Sequence, residues 1–360
     1  MTASRRGSIP LMTAMGFMMV WLWGAAAAAD VHLASESSEK PWNVSVGVSN
    51  VVGSGTFVTN PYIRQSSDWV GQSWSVGAGY GFDFFGRDLT LRSSWSFDYE
   101  FTTPNGATAR RVSPHDFRVS LSESESYRDE LTGVVLSSGL QLTLPVSYES
   151  RGATDLYFAL GLSGDLSRSF GPVSLSWSLG MTKYVQGSTI KRSYGIERCG
   201  AGQGRGPTDA VSFSPDACSA VQGLHPEGFP NTSMLLNNQL AVSWQVATHI
   251  TASYSVGLNQ YFKYGMPGDD SLTSVHAVGG VRRVDYFWPT LDVTIGLSDL
   301  VDELGDLPVE LSLSSGISAT HPTRSADDQS IIWPFFAGSF GSGRAADGYG
   351  SVYLDLNGTW

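Results

Sequence analysis

The chain has 360 residues, with 22 basic and 33 acidic side chains and a formal net charge of -11. Such a surface repels polyanions and argues against a nucleic-acid partner. Only 15 per cent of residues are charged, against about a quarter in ordinary soluble domains, so the exterior calls for a solvent other than water.

Residues 1–29 read as a secretory signal peptide. Arg5 and Arg6 make the basic start, an apolar run extends from Leu11 to Trp23, and small residues lead to a cleavage site near Ala29. A retained anchor is the alternative, but the run is short for a bilayer-spanning helix. No later stretch has the length and apolarity of such a helix, which excludes a helical membrane protein and leaves a membrane barrel open. Residues 30–41 are expected to form a short N-terminal segment, followed by a single domain over 42–360.

From residue 42 the dominant signal is alternation of period two, the mark of strands with two chemically different faces. Twelve strands are predicted: 42–50, 74–85, 89–101, 115–123, 136–148, 155–167, 173–185, 236–246, 250–264, 290–298, 308–319 and 350–360. In the second, Trp74, Val76, Ala78, Tyr80, Phe82 and Phe84 share one parity; Ser73, Ser75, Gly77, Gly79, Gly81 and Asp83 share the other. Parity breaks between Trp288 and Leu291, where Pro289 predicts a bulge. The connections alternate short and long along most of the chain, the longest covering 187–233. Short connections follow Phe85, Ser167 and Val246; the one after Glu123 is long for its side, and the one near Glu149 short. Aromatics gather toward strand ends, with Trp95, Phe97, Tyr99 and Phe101 at one rim and Phe82, Phe84 and Phe85 at the other.

The signal-like start, the alternating strands and the terminal segment GSVYLDLNGTW together resemble Gram-negative outer-membrane β-barrel proteins. The resemblance covers the whole mature chain at the level of the class, and no motif selects one family within it. It implies an all-β, antiparallel up-and-down barrel in the cell outer membrane, with about twelve strands, or fourteen if 272–283 and 330–340 also pair. It also implies outer-membrane lipid and the barrel-assembly machinery as partners, the latter reading Val352, Leu354, Leu356 and Trp360 as its address. Gly358 departs from the large residue often found at its position. A soluble sandwich would alternate too, but its outward face would carry the charge.

The interior parity is expected to hold Asp83, Arg92, Asp98, Glu100, Arg118, Asp155, Asp165, Lys263, Asp292, Glu310 and Asp355 among small polar residues. Acids outnumber bases, so a water-filled lumen of this lining favours cations, unless the charges pair across it and only hold its shape. Cys199 and Cys218 read as a disulfide in the longest loop, and metal binding there lacks ligands. The apolar run with Ile331, Ile332, Trp333, Phe335 and Phe336 is expected to constrict the mouth, form an entry patch or pack against other loops. No cofactor or metal motif is present. Three functions remain open: a porin-like or substrate-selective channel for small solutes, a structural or adhesive barrel acting through its loops, and an outer-leaflet lipid hydrolase. For the last, the candidates are His115, His249 and His276 with a serine such as Ser274, although none has a spacing that demands catalysis.

Overall fold

The computed structural model describes residues 41–53, 70–101, 112–194, 224–264, 283–297, 309–323 and 349–360. The strands are β1 Trp42–Gly53, β2 Val70–Phe84, β3 Arg87–Glu100, β4 Val112–Pro114, β5 Phe117–Arg128, β6 Val135–Leu144, β7 Leu156–Phe170 and β8 Val173–Gln186. They continue as β9 Ile190–Tyr194, β10 Leu224–Pro230, β11 Thr232–Ala247, β12 Ile250–Lys263, β13 Arg283–Gly296, β14 Glu310–Pro322 and β15 Tyr349–Thr359.

Twelve long strands form one antiparallel sheet that closes on itself, each pairing with its neighbours in chain order once the β9–β10 hairpin is set aside. Closure joins β1 to β15 from Ser45–Thr359 to Gly53–Ser351. Trp360 extends the seam, its amide donating to the Val44 carbonyl at 2.9 Å and its carbonyl accepting from the Val44 amide at 3.1 Å. Closure leaves none of the twelve long strands with an unpaired edge, which a hydrocarbon surrounding requires.

Burial is reversed relative to a soluble protein. Apolar side chains of one parity face out and are exposed, as at Leu162, Leu179, Leu240 and Trp244, while the most enclosed residues include Ser49, Ser318, Ser351 and Asp355. The expected aromatic clusters are present on the outside: Trp74 stacks on Phe97 with centroids 6.4 Å apart, and Phe84 meets Phe85 edge-on at 4.5 Å. Among the described residues, no helix is long and apolar enough to cross a membrane.

Several expected boundaries are corrected. β2 begins at Val70, β11 at Thr232 and β13 at Arg283, each earlier than the alternation alone marks. The strand expected over 115–123 begins only at Phe117, as β5; His115 and Asp116 separate it from the short β4, which lies in the expected connection before it, because Asp116 turns to another connection, described below. It also runs on past a register shift after Glu123, so the awkwardly long link there becomes a compact turn over 129–134. The expected bulge at Pro289 is absent. Register with β12 is continuous from Ile250–Ile295 to Phe262–Arg283, and only the pairing to β14 lapses, between Phe287–His321 and Thr290–Ser318. Proline lacks a donor on one side of its strand alone, so one ladder is interrupted and the other survives.

The remaining short connections are tight. Phe85 and Gly86 take positive φ values of 54° and 73°, and Gly171 takes 61°. Asp83 accepts the Gly86 amide at 3.1 Å and thereby holds the first of these turns.

The terminal segment follows the expected parity. Val352, Leu354 and Leu356 lie opposite Val52, Asn50 and Val48 of β1, and Tyr353, Asp355, Asn357 and Thr359 lie opposite Val51, Ser49, Gly47 and Ser45. Gly358 has a physical reason: a Cβ there would stand 3.4 Å from the Trp360 ring and 3.3 Å from Leu311. The glycine is the seat of the terminal indole. Gly358→Leu is therefore expected to displace that ring and destabilise the barrel by about 1–3 kcal/mol, as overpacking does. Denaturant unfolding of the refolded protein in detergent, compared with wild type, measures it.

Candidate functional site

The candidate site is the inward face of the barrel, because that is where the sequence concentrates its polar side chains. Opposed residues of an antiparallel pair share a face, so the registers build rows across the strands. One row runs Asp98, Ser73, Ser49, Asp355, Ser314 and Thr294 across β3, β2, β1, β15, β14 and β13. Ser73 donates to Asp98 at 2.5 Å, Ser49 bonds to Asp355, and the Thr294 and Ser314 hydroxyls are 2.9 Å apart.

The next row carries Glu100, Gly71, Val51, Tyr353, Gly316, Asp292 and Ser253. Tyr353 lies across Gly316, where a Cβ would come within 2.7 Å of its ring, and its hydroxyl reaches Asp292 at 3.3 Å. Ser253 donates to the other Asp292 oxygen at 2.5 Å. The glycine thus lets a tyrosine cross its own strand neighbour and bond to the strand beyond.

The arc from β5 to β12 has a different chemistry. Arg118, Thr143, Ala159 and Tyr184 form one row there. Tyr261 and Tyr286 meet edge-on at 5.8 Å. Lys263 donates to the Thr232 hydroxyl at 2.9 Å, and its nitrogen stands 5.7 Å from the Tyr261 ring. Amides fill the space between, with Asn237 donating to Asn259 at 2.6 Å and Gln239 to Ser255 at 3.0 Å.

Most of the expected lining residues fall on this face. Arg92, Asp98, Glu100, Arg118, Asp165, Asp292 and Asp355 lie within strands, on the inward parity set by their partners. Asp83, Lys263 and Glu310 share that parity at strand ends. Asp155 is the exception. It precedes β7 with φ of 52°, just after the helical turn Glu149–Ala153, and so belongs to a rim connection rather than the wall. There it lines a cleft of about 600 Å³ with Pro145, Arg151, Leu156 and Tyr157.

Sequence reasoning missed Asp88, which faces Asp83, and the interior aromatics Tyr184, Tyr261, Tyr286 and Trp288. Extending the parity of Asp292 back through Pro289 would have placed the last two inside. The Trp288 ring instead packs on Gly257, 3.3 Å from where a Cβ would stand. Cys199 and Cys218, the run 330–340, His276 and Ser274 lie outside the described residues.

His115 and Asp116 occupy the break between β4 and β5. Asp116 turns to the β6–β7 connection, accepting the Val146 and Ser147 amides at 3.0 and 2.9 Å and the Ser150 hydroxyl. Burial pushes its carboxyl up, but these donors outweigh burial and hold it below the usual range. His115 turns back to β3, its Nε2 2.7 Å from Asp98. That hydrogen bond raises the imidazole above its ordinary value, against the lowering effect of burial. Asp98 thus stands between Ser73 and His115. A nucleophilic triad requires the histidine between the serine and the acid, so this trio is not that relay. His249 sits in the β11–β12 turn, at the rim opposite His115. Among the described residues, no three histidine, cysteine or acidic side chains converge as a metal site.

A closed twelve-stranded barrel, apolar outside and polar inside, places the chain in the outer-membrane β-barrel class. No family model matches the sequence, and no curated protein does. Among solved structures, the fold is similar to an outer-membrane channel from Pseudomonas putida F1, with a TM-score of 0.50, 10% identity and coverage of 90% of this chain and 96% of that one. Lesser likenesses reach an anion-selective porin from Comamonas acidovorans, at TM-score 0.31, 8% identity and 89% and 98% coverage. LpxR from Salmonella typhimurium gives TM-score 0.35, 9% identity and 88% and 99% coverage.

The His115 contact has a definite pH direction. Because the folded-state value is raised, its stabilisation is complete below the ordinary histidine value of about 6.5 and is lost as pH rises through the folded value. Asp98→Asn is expected to lower the His115 value, and an NMR titration of the ring in detergent micelles measures the change.

Proposed function

We propose that the barrel is a channel for small solutes in the outer membrane, with a mild preference for cations. The observation that supports it most is the inverted burial: the outward parity is apolar and exposed, while inward small polar residues such as Ser75 and Ser163 also remain exposed. Side chains of that size leave room for water between the walls of a twelve-stranded barrel. Asp98, Glu100, Asp165, Asp292 and Asp355 outnumber Arg92, Arg118 and Lys263 on the interior wall, which lowers the electrostatic cost of a cation in the lumen. The Pseudomonas putida structure with a similar fold is an outer-membrane channel, in agreement with this reading.

The barrel would lie in the membrane with the short turns toward the periplasm and the long connections outside, as its class does. Outer-membrane lipid contacts the apolar face, and the assembly machinery receives the β15 segment during biogenesis. A second reading, a structural or adhesive barrel, draws on the β9–β10 hairpin, which pairs apart from the wall. A lipid hydrolase draws no support from the Ser73, Asp98 and His115 arrangement.

Planar-bilayer recording separates the first two. The purified protein is expected to give discrete conductance steps, with a reversal potential displaced toward the cation equilibrium in a salt gradient. Absence of steps at every voltage rejects the channel; steps with an anion-directed reversal potential reject the preference.

A further inference from the structure

We infer that the interior wall between Asp292 and Asp355 binds a hydrated divalent cation of the Mg²⁺ or Ca²⁺ type. The two carboxylates share the inward face, on strands separated only by β14, one row apart. Asp355 is 4% exposed and takes a hydrogen bond from Ser49, yet among the described residues its Oδ1 has no hydrogen-bond partner. The Asp292 oxygens are held by Ser253 and Tyr353, both neutral. Among the described residues, no ion pair joins either carboxylate to a basic side chain.

Asp355, so enclosed and with a bare oxygen, and the half-buried Asp292 one row away call for a counter-charge, because an uncompensated buried carboxylate is strongly disfavoured. The donor set decides its class. The polar partners of the two acids, Ser49, Ser253 and Tyr353, offer oxygen atoms, and two carboxylates with coordinated water form the shell that hard divalent ions accept; softer metals prefer nitrogen or sulfur. Tyr353, seated on Gly316, stands at the same level between the two strands that carry the acids. Such an ion would tie β13 to β15, beside the seam where β15 meets β1. Binding needs only the folded barrel and does not rest on conduction.

The test uses the full-length barrel refolded in detergent, washed with chelator, and titrated with MgCl₂ or CaCl₂ at ionic strength held constant with KCl. The midpoint of thermal loss of the heat-modifiable folded form is read, together with calorimetric stoichiometry. Wild type is expected to bind one ion and to rise by about 5 °C at a hundredfold excess over Kd. Asp292→Asn and Asp355→Asn are expected to lose the rise, and Asp165→Asn, a change of the same charge elsewhere on the interior wall, to keep it. Should Asp355→Asn not refold, Asp292→Asn carries the comparison alone. A rise of equal size in Asp292→Asn overturns the site. So does a wild type indifferent to both ions, and Asp355→Asn more stable than that indifferent protein assigns the neutralising charge to a shared proton.

Discussion

Every feature of this chain depends on one constraint: hydrocarbon offers no hydrogen bonds, so each backbone amide and carbonyl in the wall must be satisfied by another strand. The meeting of β1 and β15 fulfils it for the first and last strands together, down to the Val44–Trp360 pair. The reversed burial follows from the same cause. Outward side chains are apolar, as a hydrocarbon surrounding demands, while the polar ones are left a shared interior where they must satisfy one another.

That interior is organised by strand register rather than by any local motif. Seven strands from β3 round to β12 place acids and hydroxyls in two successive rows, and the arc from β5 to β12 collects tyrosines, amides and two bases. Hydrogen bonds run mostly across strands, so each polar side chain fixes a neighbour that is distant in sequence. Gly316 and Gly358 do comparable work on opposite faces, one admitting Tyr353 to the interior and the other seating Trp360 outside. In both places the absence of a side chain is what lets an aromatic ring lie flat.

The twelve strands and the sidedness of most lining residues were legible in the sequence because membrane barrels alternate two chemically distinct faces. What escaped reading depended on partners remote in the chain. The break at His115 and Asp116 exists because Asp116 serves amides of the β6–β7 connection, which no local pattern announces. Pro289 was misread because sequence does not tell which neighbour its missing donor would have faced, and the error left Tyr286 and Trp288 outside the expected strand. Asp155 looked like a wall residue until its left-handed backbone placed it on a rim turn. Tyr353 and Asp355 were assigned inward by parity, but their relation to Asp292 required the registers of three strands.

The seam also sets a timetable for folding. Asn50 reaches the carbonyl of Leu354 across 304 positions of sequence, one of the longest separations the chain allows. Loop closure of that span carries an entropic cost that local hairpins avoid, so the hairpins can form early while the ends meet late. Until they meet, β1 and β15 each present an unpaired edge, and an unpaired edge invites pairing with other chains. The barrel is therefore most vulnerable to aggregation just before its last strand docks, when all but one of its ladders can already be in place.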